Sequence, residues 1–296
     1  MSKIVNLTEI LKQGQLGGYA VGSFSPRYTK LILPIVQAAI DTKSPVIIQI
    51  SEKEIYRHKV DINDFAKELF RVITELKPTI PIALHLDHTK DFEIIKQAIA
   101  AGFTSVMIDA SEFDFDKNVE ITKQTVEYAH PFHVTVEAEL GRIGTTDFVE
   151  TDHDDEFFTV PDEAKIFCEL TKVDALAVSV GTAHGIYTVR KPRVDYDRLL
   201  KINQLIDTPL VLHGGSGVPS EMVSKAAQMP TGGVSKVNIA TDVEQEMLKV
   251  VGKETFMTEE ELNSYPEEVL LKARKAVYEL VVEKIKNYLL SDGKAE

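Results

Sequence analysis

An aspartate and a histidine stand side by side at the end of an apolar run, in Leu84-His85-Leu86-Asp87-His88. Two further histidines have similar settings, in Gly181-Thr182-Ala183-His184-Gly185 and in Leu212-His213-Gly214-Gly215-Ser216-Gly217. Each closes a stretch that reads as a buried strand. Three imidazoles delivered at three strand ends are what an open catalytic Zn2+ site needs, and the neighbouring carboxylate of Asp87 supplies a proton carrier. His85 shares strand parity with Asp87, so both face the same way; it reads as a barrel-layer or supporting residue. His58, His130, His133 and His153 lack the strand-end glycine context and carry no assignment.

Glycines surround two of the three histidines. Gly185 follows His184, and Gly214-Gly215-Ser216-Gly217 leads into a helix near Pro219. Bare backbone N–H groups at such turns can cradle a phosphate, although a Gly-Gly-Ser-Gly string alone also fits an ordinary tight turn. The strand end Asn238-Ile239-Ala240-Thr241 lies where barrels often hold a phosphate, after their seventh and eighth strands.

The elements that must position these groups alternate along the chain. Strands are expected at Gly18–Phe24, Pro45–Ser51, Pro81–Asp87, Ser105–Asp109, His133–Leu140, Ala175–Gly181, Pro209–His213 and Lys236–Ala240. Helices are expected at Thr29–Asp41, Asp61–Leu76, Asp91–Ala101, Asp116–His130, Pro161–Lys172, Asp195–Ile206 and Ser220–Gln228, with Asp61 and Asp91 as N-caps and Pro161 in a first turn. Eight strands alternating with helices predict an α/β fold with a parallel sheet covered on both faces. Closure gives a (β/α)8 TIM barrel; the rival is an open doubly wound sheet, weakened because no Gly-rich dinucleotide fingerprint follows the first strand. Residues 1–296 read as one barrel domain, with 258–290 as extra C-terminal helices that pack on the barrel or on a partner subunit.

At the carboxyl ends of such strands, where barrel active sites lie, polar residues converge. Ser51 ends the second predicted strand, Asp87 and His88 the third, and Asp109 the fourth. Glu137 and Glu139 lie in the fifth, His184 follows the sixth, His213 ends the seventh, and Asn238 lies near the end of the eighth. Charges at a barrel mouth are costly unless paired or metal-bound.

The bulk numbers narrow the function. The chain has 296 residues, 44% hydrophobic content and a net charge of -13. An acidic protein with no basic stretch is a poor nucleic-acid or anionic-membrane binder. Cys168 is the single cysteine and reads as a small buried hydrophobe. No secretory leader and no run of about 18 apolar residues occurs, so a cytoplasmic protein is expected.

The segments LHLDH, VMIDAS, VEAELGRIG, DALAVSVGTAHGIY, PLVLHGGSGVP and KVNIATD follow one another in this order. From about Gly18 to Asp242 the chain resembles the zinc-dependent class II ketose-bisphosphate aldolases, the fructose- and tagatose-bisphosphate enzymes. The resemblance implies His88, His184 and His213 as ligands of catalytic Zn2+, with Asp109 and Glu139 at a second or inactive metal position. It implies Asp87 as the group that exchanges a proton with the aldehyde oxygen. It implies Gly185, Gly214, Gly215, Ser216, Asn238, Ile239, Ala240 and Thr241 as contacts of dihydroxyacetone phosphate, with Asn238 also facing the enediolate. A second acid-base group is implied on the loop Gly141–Thr159, where Asp147 is the best match. A monovalent cation (Na+ or K+) and a homodimer or homotetramer follow from the family alone.

The expected reaction is reversible cleavage of fructose- or tagatose-1,6-bisphosphate to dihydroxyacetone phosphate and an aldehyde, through a zinc-stabilised enediolate. Departures fall on the aldehyde half. Phe24-Ser25-Pro26-Arg27 replaces the usual Phe-Asn, Gly144-Thr145 replaces a Gly-Gly pair, and Tyr265-Pro266-Glu267-Glu268 replaces an Asp-Pro-Arg element. Ala240 points to the tagatose branch and Gly214-Gly215-Ser216-Gly217 to the fructose branch. Arg27, Lys272 and Arg274 are the alternatives for a distal phosphate contact. A different ketose 1-phosphate with a non-standard acceptor stays open, as do a Schiff-base aldolase built on Lys236, a metal-dependent hydrolase and a non-catalytic sugar-phosphate sensor.

Overall fold

The computed structural model describes residues 3–144, 157–187, 191–230 and 232–295. Its strands are β1 (Lys3–Ile4), β2 (Val21–Phe24), β3 (Val46–Ser51), β4 (Pro81–Thr89), β5 (Ser105–Ile108), β6 (Thr135–Leu140), β7 (Ala175–Val178), β8 (Leu210–Leu212) and β9 (Val234–Ile239). Strands β2 to β9 pair in parallel, each with its successor, and β9 pairs back to β2, which closes the barrel. These eight correspond to the eight expected strands, and the open-sheet alternative is excluded.

The helices are α1 (Leu7–Gly17), α2 (Ile32–Asp41), α3 (Glu52–His58), α4 (Ile62–Leu76), α5 (Phe92–Ala101), α6 (Phe115–Ala129), α7 (Pro161–Thr171), α8 (Tyr196–Leu205), α9 (Ser220–Ala227), α10 (Thr241–Val251), α11 (Glu259–Asn263) and α12 (Glu267–Glu283). The expected caps form: Asp61 accepts from the N–H groups of Asn63 and Asp64, and Asp91 from Glu93. Helix α12 continues into a π-helical turn, Lys284–Leu289. Leu270, Val277, Val281, Ile285 and Leu289 join the apolar layer between the barrel and its helices, so the C-terminal helices share that layer.

Four elements are absent from the sequence reading: β1, α1, α3 and α10. β1 adds to the edge of β4 at Pro81 and Ile82, ahead of the point where β4 meets β5. Helix α1 then closes the amino end of the barrel. Its Leu7, Ile10 and Leu11 pack with the inward residues Val21, Ile47, Ala83, Met107, Ala175, Ala177 and Val211. Asn6 caps α1 by accepting from Glu9, and Gly18 ends it at φ 64, so the next strand starts at Val21 rather than at Gly18. The interior is therefore layered: apolar at the α1 end, and polar above it, where Ser23, Gln49, His85, Glu137, Lys236 and Asn238 are buried.

Candidate active site at the carboxyl end of the barrel

Alternation along β4 sends Ala83, His85 and Asp87 inward and Ile82, Leu84 and Leu86 outward to the helices. By the same rule His88 would face outward. It does not, because the β4–β5 pairing shifts register between Leu86 and Thr89 and His88 takes φ 36. A bulge with a left-handed residue re-aims a side chain, at a typical strain of about 1–3 kcal/mol for a non-glycine residue. Asp87 and His88 consequently both enter the barrel mouth.

There His88 meets the other two imidazoles. Its Nε2 lies 3.1 Å from Nε2 of His184 and 2.7 Å from Nδ1 of His213. The outer nitrogens are held by carboxylates. His88 Nδ1–H donates to Asp109 Oδ2 at 2.8 Å, and His213 Nε2–H donates to Glu137 Oε1 at 2.8 Å. Ser111 steadies Asp109 by donating to its other oxygen from both N–H and hydroxyl. With those protons assigned, the lone pairs of His88 Nε2 and His213 Nδ1 face each other with His184 Nε2 beside them, an arrangement that repels itself unless a proton or metal cation lies between.

The surrounding charges favour one cation there. Burial disfavours a charged His88, but Asp87, Asp109 and Glu139 around it outweigh burial and raise its imidazole to about 10. Burial and the charge of His88 hold His184 and His213 low, so these two stay neutral and can ligate. Glu139 is raised to about 8 by burial and by Asp109, and its buried Oε2 has no hydrogen-bond partner. The donor set fits a divalent metal with His88, His184 and His213 as ligands. His88, Asp109 and Glu139 form a second close group, matching the expected alternative position. A third group, His85, Asp87 and Glu137, already has the Lys236 ammonium 2.9 Å from Glu137.

Asp87 is fixed from two sides. Asn238 donates to its Oδ1 at 3.0 Å and Gln49 to its Oδ2 at 3.1 Å. Lys236 in turn donates to Asn238 Oδ1 at 2.6 Å, which sets the orientation of that amide. Burial alone would raise the Asp87 carboxyl, but His88, His85 and Lys236 hold it well below the ordinary carboxylate range. Gln49 is a site residue that the sequence reading passed over. The signal was a polar side chain between Ile48 and Ile50 on an otherwise apolar strand.

Asp87, His88, Asp109, Glu139, His184, Gly185, Gly214, Ser216, Asn238, Ala240 and Thr241 line one cavity of about 1120 Å3, together with Ser51 and Arg27. Gly214 takes φ 64, and a Cβ there would lie 2.4 Å from the Ala183 carbonyl oxygen, so the turn admits glycine alone. Two expected contacts do not reach the cavity. The Gly215 N–H donates to the Asn238 carbonyl at 3.2 Å, and the Ile239 side chain is buried in the apolar layer. Arg274 lies elsewhere, in a hollow with Thr29, Leu33 and Arg71, where it donates to Glu267 at 2.8 Å. Asp147 falls outside the described residues. Lys236 is fully buried, paired with Glu137 at 2.9 Å and outside the cavity lining, which disfavours a Schiff-base role for it.

Residues 5–294 match the model of the class II fructose-bisphosphate aldolase family. A fructose-bisphosphate aldolase of Thermus caldophilus is 38% identical over 300 residues, covering 94% of this chain and 95% of that protein. The crystal structure of the YdjI aldolase from Escherichia coli K12 superposes with a TM-score of 0.82 at 30% identity, covering 99% of this chain and all of that one. A Coccidioides immitis protein assigned as a fructose-1,6-bisphosphate aldolase does so with a TM-score of 0.81 at 31% identity, covering 97% and 96% of the two chains. With three imidazoles and a fixed aspartate at the mouth of a closed barrel, the chain belongs to the class II fructose-bisphosphate aldolases, a metal-dependent family of carbon–carbon lyases acting on sugar phosphates.

Proposed function

We propose that the protein catalyses zinc-dependent, reversible aldol cleavage of a ketose 1,6-bisphosphate, fructose- or tagatose-1,6-bisphosphate, to dihydroxyacetone phosphate and an aldehyde. The observation that carries this reading is the convergence of His88 Nε2, His184 Nε2 and His213 Nδ1 beside the fixed carboxylate of Asp87. A zinc ion held by these imidazoles supplies Lewis-acid polarisation of the substrate's carbonyl and hydroxyl oxygens.

The chain's own residues do the rest. Asp87, ionised and held by Gln49 and Asn238, takes the C4 hydroxyl proton during cleavage and returns it during condensation. Asn238, its amide oriented by Lys236, lies beside the same reacting centre. The N–H groups at Gly185, Gly214 and Ser216 and at the Ala240–Thr241 start of α10 hold the donor phosphate, aided by the helix dipole. Anchoring that phosphate positions the reacting carbons before chemistry begins. Asp147, from the loop after β6, is the group proposed to exchange the proton on the donor carbon.

A second reading, a ketose 1-phosphate with a different acceptor, is favoured by one observation: Arg27 is already ion-paired to both Glu54 and Glu244. Cleavage assays on a panel of ketose 1-phosphates and 1,6-bisphosphates decide between the two. No cleavage of any member by zinc-loaded protein sinks both.

A further inference from the structure

Arg27, Lys272 and Arg274 stand out in the sequence as receivers of a distal phosphate, and the structure offers none of them to the cavity: Lys272, outside it, pairs with Glu268 at 2.8 Å. Arg27 is buried, with Nε donating to Glu54 Oε1 at 2.8 Å and Nη1 paired to Glu244. Ser51 also caps α3: its hydroxyl accepts from the Glu54 N–H at 3.2 Å, and its own N–H donates to Glu54 Oε2 at 2.9 Å, which leaves a single neutral O–H donor for a ligand. Arg274 is outside the cavity. The Arg27–Glu54–Glu244 cluster carries one positive and two negative charges, which disfavours a second dianion beside it.

The same cavity has two other cations. Lys53 and Arg57 line it from α3, are exposed, and are spaced i, i+4 on one face of that helix. Among the described residues neither has a carboxylate partner; Arg57 only stacks over the Phe256 ring, 5.1 Å from its centroid. The remaining basic residues of the cavity are engaged. Lys90 pairs with Glu112 at 2.5 Å, and Arg142 donates to the Glu112 carbonyl at 2.7 Å. Glu52, at the start of α3, is itself occupied by the N–H groups of Lys90 and Asp91.

The position of α3 is as telling as its charge. Ser51 is the cross-strand partner of Asp87, and α3 begins at the next residue. A sugar anchored by its 1-phosphate at the β8–β9 side, with its C4 hydroxyl at Asp87, leads its far end past this helix. We propose that Lys53 and Arg57 form the receiving site for an anionic terminus, phosphate or carboxylate, on the aldehyde half of the substrate. Arg27 is then a buried post that ties the β2 loop to α3 and α10. The inference rests on the aldolase reading of the same cavity.

The test compares three 1-phosphorylated ketoses, ending in a neutral hydroxymethyl group, a second phosphate or a carboxylate. It uses full-length zinc-loaded protein and the Lys53→Ser, Arg57→Ser double variant. Wild type should show a lower KM for at least one anionic-ended sugar than for the neutral one, and the arm that does so identifies the terminus. In the double variant that KM should rise about tenfold or more, the scale of a lost charge-assisted contact, with the loss confined to anionic-ended sugars. An unchanged melting temperature shows that the variant is folded, and Lys53→Arg should restore most of the affinity. An equal loss on all three sugars, no loss, or no wild-type preference for an anionic end overturns the proposal. No cleavage of any of the three by wild type overturns the aldolase reading, and the proposal with it.

Discussion

Asp87 and His88 are adjacent in the chain yet point into the same barrel mouth, because His88 adopts φ 36 at a bulge in β4. This single kink separates two jobs that strand alternation would place on opposite faces. Asp87 stays on the polar interior layer with Asn238 and Gln49, while His88 swings to join His184 and His213.

Asp87→Asn keeps the shape of the side chain and its place beside Asn238 but removes the base. Cleavage should fall by about 10²–10⁴, the usual weight of general acid-base catalysis, while bound metal stays at the wild-type ratio. Turnover within a few-fold of wild type would contradict the role given to Asp87. Elemental analysis on the same sample separates loss of base from loss of metal.

His184→Ala and His213→Ala should lose metal and activity together. His85→Ala should keep the metal and lose stability, because His85 is buried and hydrogen-bonded through Nδ1 to Ser105 at 2.8 Å. The cost should be about 1–3 kcal/mol by urea titration, the range for a buried hydrogen-bonded group left unpaired. Stoichiometric metal in both ligand variants would count against the triad.

Lys236→Met removes the cation from a fully buried pair with Glu137. An uncompensated buried carboxylate of this kind costs about 3–5 kcal/mol. Asn238 also loses the donor that orients its amide, so turnover should drop in protein that remains folded. Wild-type stability in equilibrium unfolding would show that Glu137 finds another partner.

Gly214→Ala should raise KM for any 1-phosphorylated ketose far more than it changes metal content. The added Cβ meets the Ala183 carbonyl oxygen at 2.4 Å and forces the turn open. An unchanged KM would separate the Gly214 turn from the donor phosphate.

Cys168 tests the packing of α7 without touching the site. Burial pushes its thiol up to about 11, opposed only in part by a hydrogen bond to Thr208. The half-buried thiol is therefore mostly protonated at pH 8. Alkylation should be slow at pH 8 and should quicken as pH rises toward 11 or as denaturant opens the helix. Rapid labelling of native protein at pH 8 would contradict this packing.

The barrel was legible because its strands alternate with amphipathic helices whose caps, such as Asp61 and Asp91, are written locally. The three-imidazole cluster and Asp87 were legible because each stands at, or a short turn beyond, the end of an apolar strand. Other features depend on long-range geometry. Helix α1 is an ordinary amphipathic segment until the barrel floor it covers exists. The bulge at His88 has no glycine to announce it. The pairing of Arg27 with Glu54 and Glu244 joins residues 27 and 217 positions apart, so a free-looking arginine in the sequence is a neutralised one in the fold.

The most direct test of the account is cleavage of fructose- and tagatose-1,6-bisphosphate by the protein as purified, after exhaustive chelation, and after Zn2+ is restored. The account predicts cleavage of at least one sugar, loss on chelation, recovery with Zn2+, and no recovery in His213→Ala. Undiminished cleavage by metal-free protein, or none in any state, would contradict it.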